Sequence, residues 1–134
     1  MPVSIPATHM DLFQFQKQAF ANLATLNQDG SPQVTPVWFD FDGTNVLVNT
    51  AKGRVKHRNM LRNPRVAISI LDPANPYRHI AIQGRVREMT EQGADAHIDK
   101  MAKKYLDKDK YPGRAPGEVR ILVKIEPDKV AAMG

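Results

Sequence analysis

The spacing of apolar side chains predicts a short helix at the start of the chain. Leu12, Phe15 and Ala19 recur at helical spacing and would share one face. Thr8, followed three residues later by Asp11, has the pattern of a helix N-cap. We therefore expect the helix to begin at Thr8 and to bury that face.

Three β-segments follow at short spacing. Period-two alternation predicts a strand over residues 21–26, and a heavy apolar load predicts a second over residues 33–41. Residues 45–50 predict a third. The turn sequences Asn-Gln-Asp-Gly at 27–30 and Asp-Gly at 42–43 separate them, which predicts an antiparallel meander.

Later strands are predicted by the same kind of pattern. Residues 66–71 resemble a buried strand, and residues 78–88 alternate over a longer run in which Gly84 indicates a bend or bulge. Residues 119–125 predict the last strand, which we expect Glu126-Pro127 to end.

A second helix is predicted between the last two strands. Thr90 is placed to cap it, and a polar loop at 107–117 follows it. Its core face is predicted to consist of Ala94, Ile98, Met101, Ala102 and Tyr105.

These elements predict one domain over residues 1–134, mainly β within the α+β class. We expect a six-stranded antiparallel sheet with two or three flanking helices. Such a sheet curls or closes into a small barrel to hide its edges.

Composition narrows the functions that this domain could have. The absence of Cys excludes disulfides, thiolate nucleophiles and Cys-based metal sites. No apolar run approaches the roughly 18–20 residues of a membrane span, and no signal-peptide pattern is visible, so we expect a cytoplasmic location. The net charge of +5 favours an anionic partner, which could be nucleic acid, a membrane or a phosphorylated small molecule.

The strongest candidate site begins where the third strand ends. Residues 51–65 contain no acid, and Asn63-Pro64 predicts the end of a short helix within them. Thr50, the helix N-terminal amides and nearby cations are the donors that bind phosphate, although a charge run is often only a solvated helix face. The cations of the segment are Lys52, Arg54, Lys56, Arg58, Arg62 and Arg65.

A second candidate is the predicted strand around Pro36. A proline cannot donate to a β-ladder, so it indicates an edge strand, a bulge, or backbone left free to meet a flat ligand. Gln33 and Thr35 would point to one face of this strand and Val34 to the other. We assign Trp38 to the core.

No pattern predicts a catalytic side chain or a metal site. The four histidines share no metal-ligand spacing, and nucleophile-elbow, P-loop and dinucleotide motifs are missing. We therefore expect no side chain to act as an essential acid or base, and an organic cofactor to carry any reaction.

The order of the motifs resembles the flavin-binding split barrel superfamily, the pyridoxamine 5′-phosphate oxidase-like group. The resemblance covers about residues 10 to 130 and implies a split barrel of the FMN-binding type. It rests on Ala24-Thr25, Asp-Gly-Ser-Pro-Gln at 29–33, Thr-Pro-Val-Trp-Phe at 35–39, Val48-x-Thr50, and the segment from Arg54 through Asn63-Pro64 to Ala67.

Within that group the chain resembles the branch that uses coenzyme F420, a deazaflavin. Arg54-Val55-Lys56 stands where pyridoxine-phosphate oxidases have Ser-Arg-Lys. The resemblance implies a homodimer with cofactor sites between the protomers, and Arg58 and Arg62 would suit the acidic tail of F420. The cofactor-binding residues that it implies are Gln33, Thr35, Pro36, Val37, Thr50, Lys52, Arg54, Lys56, Asn59 and, from the partner protomer, Tyr77.

The expected function is hydride transfer between reduced F420 and a small organic acceptor. One alternative is an FMN-binding flavoprotein of the same fold. The other is a non-catalytic basic β-barrel that binds nucleic acid, which the absence of stacking aromatics in residues 51–65 disfavours. We expect a small-molecule substrate and a second copy of the chain as partners, and neither nucleic acid nor membrane.

Overall fold

The computed structural model describes residues 3–134. Within them lie a 3₁₀ helix (Ala7–Phe13) and two α-helices, α1 (Val55–Arg62) and α2 (Ala94–Leu106). The strands are β1 (Ala21–Leu26), β2 (Pro32–Val37), β3 (Asp40–Phe41), β4 (Val46–Ala51), β5 (Arg65–Asp72), β6 (Asn75–Thr90) and β7 (Arg120–Met133). No helix of the described residues is both long and apolar enough to cross a membrane.

All these strands form one sheet in the order β2-β1-β5-β6-β7-β4-β3. Each neighbouring pair is antiparallel. The predicted class, a mainly β antiparallel sheet of the split-barrel type with flanking helices, is confirmed. The described part of the chain has seven strands rather than the predicted six.

The extra strand arises because the predicted strand over residues 33–41 is two strands at opposite edges of the sheet. β2 pairs only with β1, whereas β3 pairs only with β4. Between them Trp38 stacks on Tyr105 and Phe39 packs against Phe13. In a continuous strand the neighbouring side chains of Trp38 and Phe39 would point to opposite faces of the sheet. Because the chain crosses between the two edges here, Trp38 can pack against Tyr105 while Phe39 packs against Phe13.

The predicted three-stranded meander is therefore wrong. β1 and β2 form the expected hairpin, and β3 and β4 form another, but β4 lies against β7 instead of β2. Pro36 lies on β2, which is an edge strand, and this confirms the edge interpretation, since proline within a sheet is tolerated mainly on edge strands.

The last strand does not end at Pro127. β7 runs on to Met133, and a register shift in its pairing with β6 places Pro127 opposite Gly84. A Cβ at residue 84 would lie 2.7 Å from the carbonyl oxygen of Glu126, so a side chain cannot fit there without a shift. The predicted irregularity at Gly84 is confirmed, and it accommodates the proline that was expected to stop the strand.

Both predicted helix starts are wrong. The opening helix is 3₁₀ and ends at Phe13, since Gln14 is already extended; Phe15 is consequently exposed. The Thr8 hydroxyl contacts His9 and caps nothing. Thr90 is the last residue of β6, and α2 begins four residues later after Gly93.

Strand β4 separates two packed layers. Val46 and Val48 belong to the main core, together with side chains from the 3₁₀ helix, α1 and the neighbouring strands. On the opposite face Asn49 donates a hydrogen bond to the Ala94 carbonyl of α2. Helix α2 therefore covers the outer side of β4 and β7, and a groove forms along its edge.

Candidate functional site

A groove of about 470 Å³ opens where the end of β2, the crossing segment, the start of α1 and helix α2 meet. Its wall is cationic at one end and apolar at the other. The cationic end holds Arg54, Lys56 and Arg120, with Asn49 beside them. The apolar end is formed by Phe20, Pro36, Val37, Trp38, Ile98, Leu106 and Pro112, and Tyr111 lies between the two ends, beside both Trp38 and Arg120.

Aromatic rings at the apolar end are held in a fixed arrangement. Trp38 lies parallel to Tyr105 with ring centroids 5.2 Å apart, and Tyr111 meets Trp38 edge-on at 6.0 Å. The hydroxyl of Tyr105 donates to the Ala19 carbonyl at 2.6 Å, and burial raises the pKa of Tyr105 to about 12. Trp38 lines the groove, so its predicted place in the core is wrong.

The cations at the other end come from two elements that β-pairing brings together. Ala51 pairs with Arg120 across β4 and β7, and the N–H of Lys52 donates to the Val119 carbonyl at 2.8 Å. This pairing places Arg120 beside the start of α1, where Arg54 is the N-cap residue. Burial lowers the pKa of Lys56, and the charges of Arg54 and Arg120 lower it further.

One acid lies among these cations. The Glu118 carboxylate oxygen Oε1 is 3.2 Å from Nη2 of Arg54 and 3.1 Å from Nη1 of Arg120. Glu118 pairs with Arg54 and Arg120 but not with Lys56. The excess of positive charge over this one carboxylate favours an anionic ligand.

Behind the groove, a chain of hydrogen bonds fixes the Arg120 side chain. Nε of Arg120 donates to Oδ1 of Asn49 at 2.8 Å. The Asn49 amide nitrogen donates to the Ala94 carbonyl at 2.8 Å and lies 3.2 Å from Nδ1 of His97. Since that amide nitrogen is a donor, Nδ1 of His97 accepts and the ring proton sits on Nε2.

The chain continues to a buried carboxylate. Nε2 of His97 donates to Oδ2 of Asp40 at 3.2 Å, and Nζ of Lys100 donates to the same oxygen at 2.9 Å. Burial alone would raise the pKa of Asp40, but the hydrogen bonds from His97, Lys100 and the Phe41 N–H outweigh it and hold that pKa well below its usual range.

The groove contains four of the ten predicted cofactor-binding residues, namely Pro36, Val37, Arg54 and Lys56. Sequence reasoning missed Asn49, Glu118 and Arg120. No motif spacing marks them, and the only local signal was a charged residue between apolar neighbours at the start of β7.

Three predicted residues on or near α1 lie outside the groove wall. Thr50 is buried, and its hydroxyl has no hydrogen-bond partner. Lys52 is exposed and pairs with Glu91 at 3.7 Å. Asn59 is buried, and its amide nitrogen donates to Thr25 at 3.0 Å, which ties α1 to β1.

The other predicted residues are also absent from the groove wall. Gln33 accepts a hydrogen bond from Thr25, the Thr35 hydroxyl is buried, and Tyr77 is 85% exposed at the start of β6. Arg58 is exposed on α1. The guanidinium of Arg62 is turned towards Asn59 and the Leu26 carbonyl, both at 3.4 Å. Residues 3–134 contain no group of three or more side chains placed to hold a metal ion.

We predict that Asp40→Asn lowers stability by about 1–3 kcal/mol at pH 7, since His97 and Lys100 lose a charged acceptor. Asp40 has a depressed pKa, so its contribution is present above the unfolded-state pKa and is lost as pH falls. Urea unfolding should show that the free energy of unfolding of wild type exceeds that of Asp40→Asn by less at pH 3 than at pH 7. The control is Asp109→Asn, which removes an exposed carboxylate. A difference for Asp40→Asn that does not change with pH would contradict a stabilising role for the ionised Asp40.

Comparison with known proteins agrees with this architecture. The sequence profile of the pyridoxamine 5′-phosphate oxidase family matches residues 8–134. A solved structure named F420 Reductase is 29% identical, superimposes with a TM-score of 0.82, and the match covers 95% of this chain and 98% of that one.

Two more distant structures share the fold. One is a conserved hypothetical protein from Mycobacterium tuberculosis, with 19% identity, a TM-score of 0.71, and coverage of 98% of this chain and 86% of that chain. The other is HupZ from Group A Streptococcus, with 20% identity, a TM-score of 0.64, and coverage of 96% and 93%. Since the family profile spans nearly the whole sequence, the chain belongs to the pyridoxamine 5′-phosphate oxidase family and has its flavin-binding split-barrel fold.

Proposed function

We propose that the protein is an oxidoreductase that holds reduced coenzyme F420 in the groove and passes a hydride to a small organic acceptor. Family membership supports the broader class of flavin or deazaflavin oxidoreductase, and the structure named F420 Reductase supports the deazaflavin. The observation that carries the proposal is the division of one groove into a cationic end and a flat aromatic end.

The residues present fit such a cofactor. Arg54 and Lys56 offer charged donors for a phosphate, and Pro36 and Val37 offer an apolar surface for a ring. When bound, the reduced deazaflavin would supply the hydride. The side chains then have to bind the cofactor, orient it within roughly 3–3.5 Å of the acceptor and keep water from the ring.

Other predicted contacts remain part of the proposal. Five of them lie outside the groove wall, namely Gln33, Thr35, Thr50, Lys52 and Asn59. We expect their substitution to weaken cofactor binding less than substitution of Arg54 or Lys56. Tyr77 projects into solvent, and we propose that it acts at the groove of a second copy.

The cofactor is tested by fluorescence titration of coenzyme F420 and of FMN. We expect F420 to bind more tightly, and its affinity to fall more steeply with salt, because its tail carries carboxylates that FMN lacks. Lys56→Met should weaken both ligands about tenfold, since both carry a phosphate.

Lys103→Met is the matched control, because that lysine is paired with Asp107 on the far end of α2. Its affinities should equal those of the wild type. Tighter binding of FMN than of F420 to the wild-type protein would replace the deazaflavin proposal with the FMN alternative. If added salt weakened the binding of F420 and FMN equally, the protein would make no contacts with the carboxylates of the F420 tail.

We predict that Tyr111→Phe changes turnover at saturating cofactor by less than about tenfold. Besides arginine and lysine, Tyr111 is the titratable side chain in the groove wall of the described chain. General acid–base catalysis contributes roughly 10²–10⁴-fold where it operates. A loss above a hundredfold, with unchanged cofactor affinity, would identify Tyr111 as a catalytic acid.

We also propose that the protein is a homodimer. The sheet face opposite the core carries small residues, among them Ala67, Ala81 and Ala131, around a hollow of about 470 Å³. Val34 at its edge is 64% exposed. A second copy seated there would cover this apolar surface.

Sedimentation equilibrium at micromolar concentration should give twice the chain mass. Val34→Glu should shift the protein towards monomer, because it places a charge in the proposed interface. Thr44→Glu, in an exposed turn away from that face, is the control. A folded wild-type monomer at that concentration would contradict the proposal.

A further inference from the structure

Arg120 is the least exposed cation of the groove. Its side chain is 2% exposed, against 48% for Arg54. The Tyr111 ring lies over its guanidinium, 5.2 Å from Cζ to the ring centroid, and Asn49 holds its Nε. Nη1 has no hydrogen-bond partner, although it lies 3.1 Å from Glu118, because the two groups are not aligned for a hydrogen bond.

We propose that Arg120 is a further anion-binding residue of the groove, and that Glu118 is the resident counter-ion that a phosphate group of the ligand replaces. The inference rests on the proposed function in one respect, which is that the ligand of the groove carries a phosphate.

The position of Glu118 supports this exchange. One carboxylate oxygen lies between two guanidinium groups, at 3.2 Å from Arg54 and 3.1 Å from Arg120. Its second oxygen is buried and has no hydrogen-bond partner. A phosphate has more acceptor oxygens than a carboxylate and greater charge, so it would satisfy Arg54, Lys56 and Arg120 more completely than Glu118 does.

The two residues differ in how firmly the fold holds them. Arg120 belongs to β7, is paired with Ala51 of β4 and is fixed from behind by Asn49. Glu118 lies before the strand, directly after Gly117, whose φ is +75°. Displacement of Glu118 thus requires a change in the loop alone, while the guanidinium stays in place.

A purely structural role for the pair makes a different prediction. If Glu118 and Arg120 form a structural pair that the ligand does not reach, removal of Glu118 leaves a buried charge without a partner and changes the affinity for the ligand little. If Glu118 competes with the ligand, its removal tightens anion binding. Glu118→Gln therefore separates the two roles, and it keeps the size of the side chain.

The experiment compares Glu118→Gln with Glu88→Gln, which makes the same change in net charge at an exposed pair with Lys124. The probes are coenzyme F420 and FMN by fluorescence and inorganic pyrophosphate by calorimetry. We expect Glu118→Gln to bind each probe about threefold or more tightly than wild type, and Glu88→Gln to stay within about twofold at physiological salt.

A second pair of variants tests Arg120 directly. Arg120→Gln should weaken pyrophosphate binding about tenfold and flatten its salt dependence, whereas Arg87→Gln, at an exposed pair with Glu126, should change neither. Should Arg120→Gln fail to fold, Glu118→Gln alone decides.

The outcomes separate this inference from the proposed function. If the wild type binds F420 but Glu118→Gln binds the probes no more tightly than Glu88→Gln does, the inference is overturned and the proposed function stands. Wild type that binds pyrophosphate but neither cofactor, with tighter binding by Glu118→Gln, supports the inference and overturns the function. Wild type that binds none of the three probes overturns both.

Discussion

The hydrogen-bond chain from Arg120 to Asp40 is the interaction on which the groove depends. It takes Arg120 from β7, Asn49 from β4, His97 from α2 and Asp40 from β3, so every element behind the cationic end contributes one member. Buried polar groups are costly without partners, and each member here satisfies the next. Loss of one member leaves its neighbours unsatisfied, which is why we expect the four elements to keep one relative position.

That constraint also explains the short strand β3. Two residues are few for a strand, but Asp40 accepts from His97 and Lys100, and the Phe41 N–H donates to Asp40 at 2.9 Å. The anchor at Asp40 ends the crossing that begins after Val37. It thereby leaves Trp38 at the mouth of the groove and Phe39 in the core. One acid thus connects the topology of the sheet to the aromatic end of the candidate site.

Some local patterns in the sequence predicted the local structure correctly, although both predicted helix caps were wrong. The turn at 27–30, the helix before Pro64 and the irregularity at Gly84 depend on neighbouring residues, and the structure has all of them. Pairing of β4 with β7 joins segments about seventy residues apart, and no local pattern encodes it. The meander was predicted in its place because consecutive strands most often pair.

The same distinction applies to the candidate site. Arg54 and Lys56 were predicted because they lie in one run with Thr50, and the groove includes both. Asn59 lies in that run too, but a buried amide on a helix face is as readily used to tie helix to sheet, and that is its role here. Arg120 lies in the groove because β4 pairs with β7, so the sequence without the fold could not identify it.

The central claim is that the cationic end of this groove, Arg120 included, is where a phosphate-bearing cofactor is held. A crystal structure of the protein with coenzyme F420 bound tests it most directly. The account predicts phosphate oxygens within hydrogen-bond distance of Arg54, Lys56 and Arg120, with Glu118 moved away. A phosphate seated elsewhere, such as a separate hollow of about 550 Å³ that Arg65, Arg85 and Lys129 line, would contradict it.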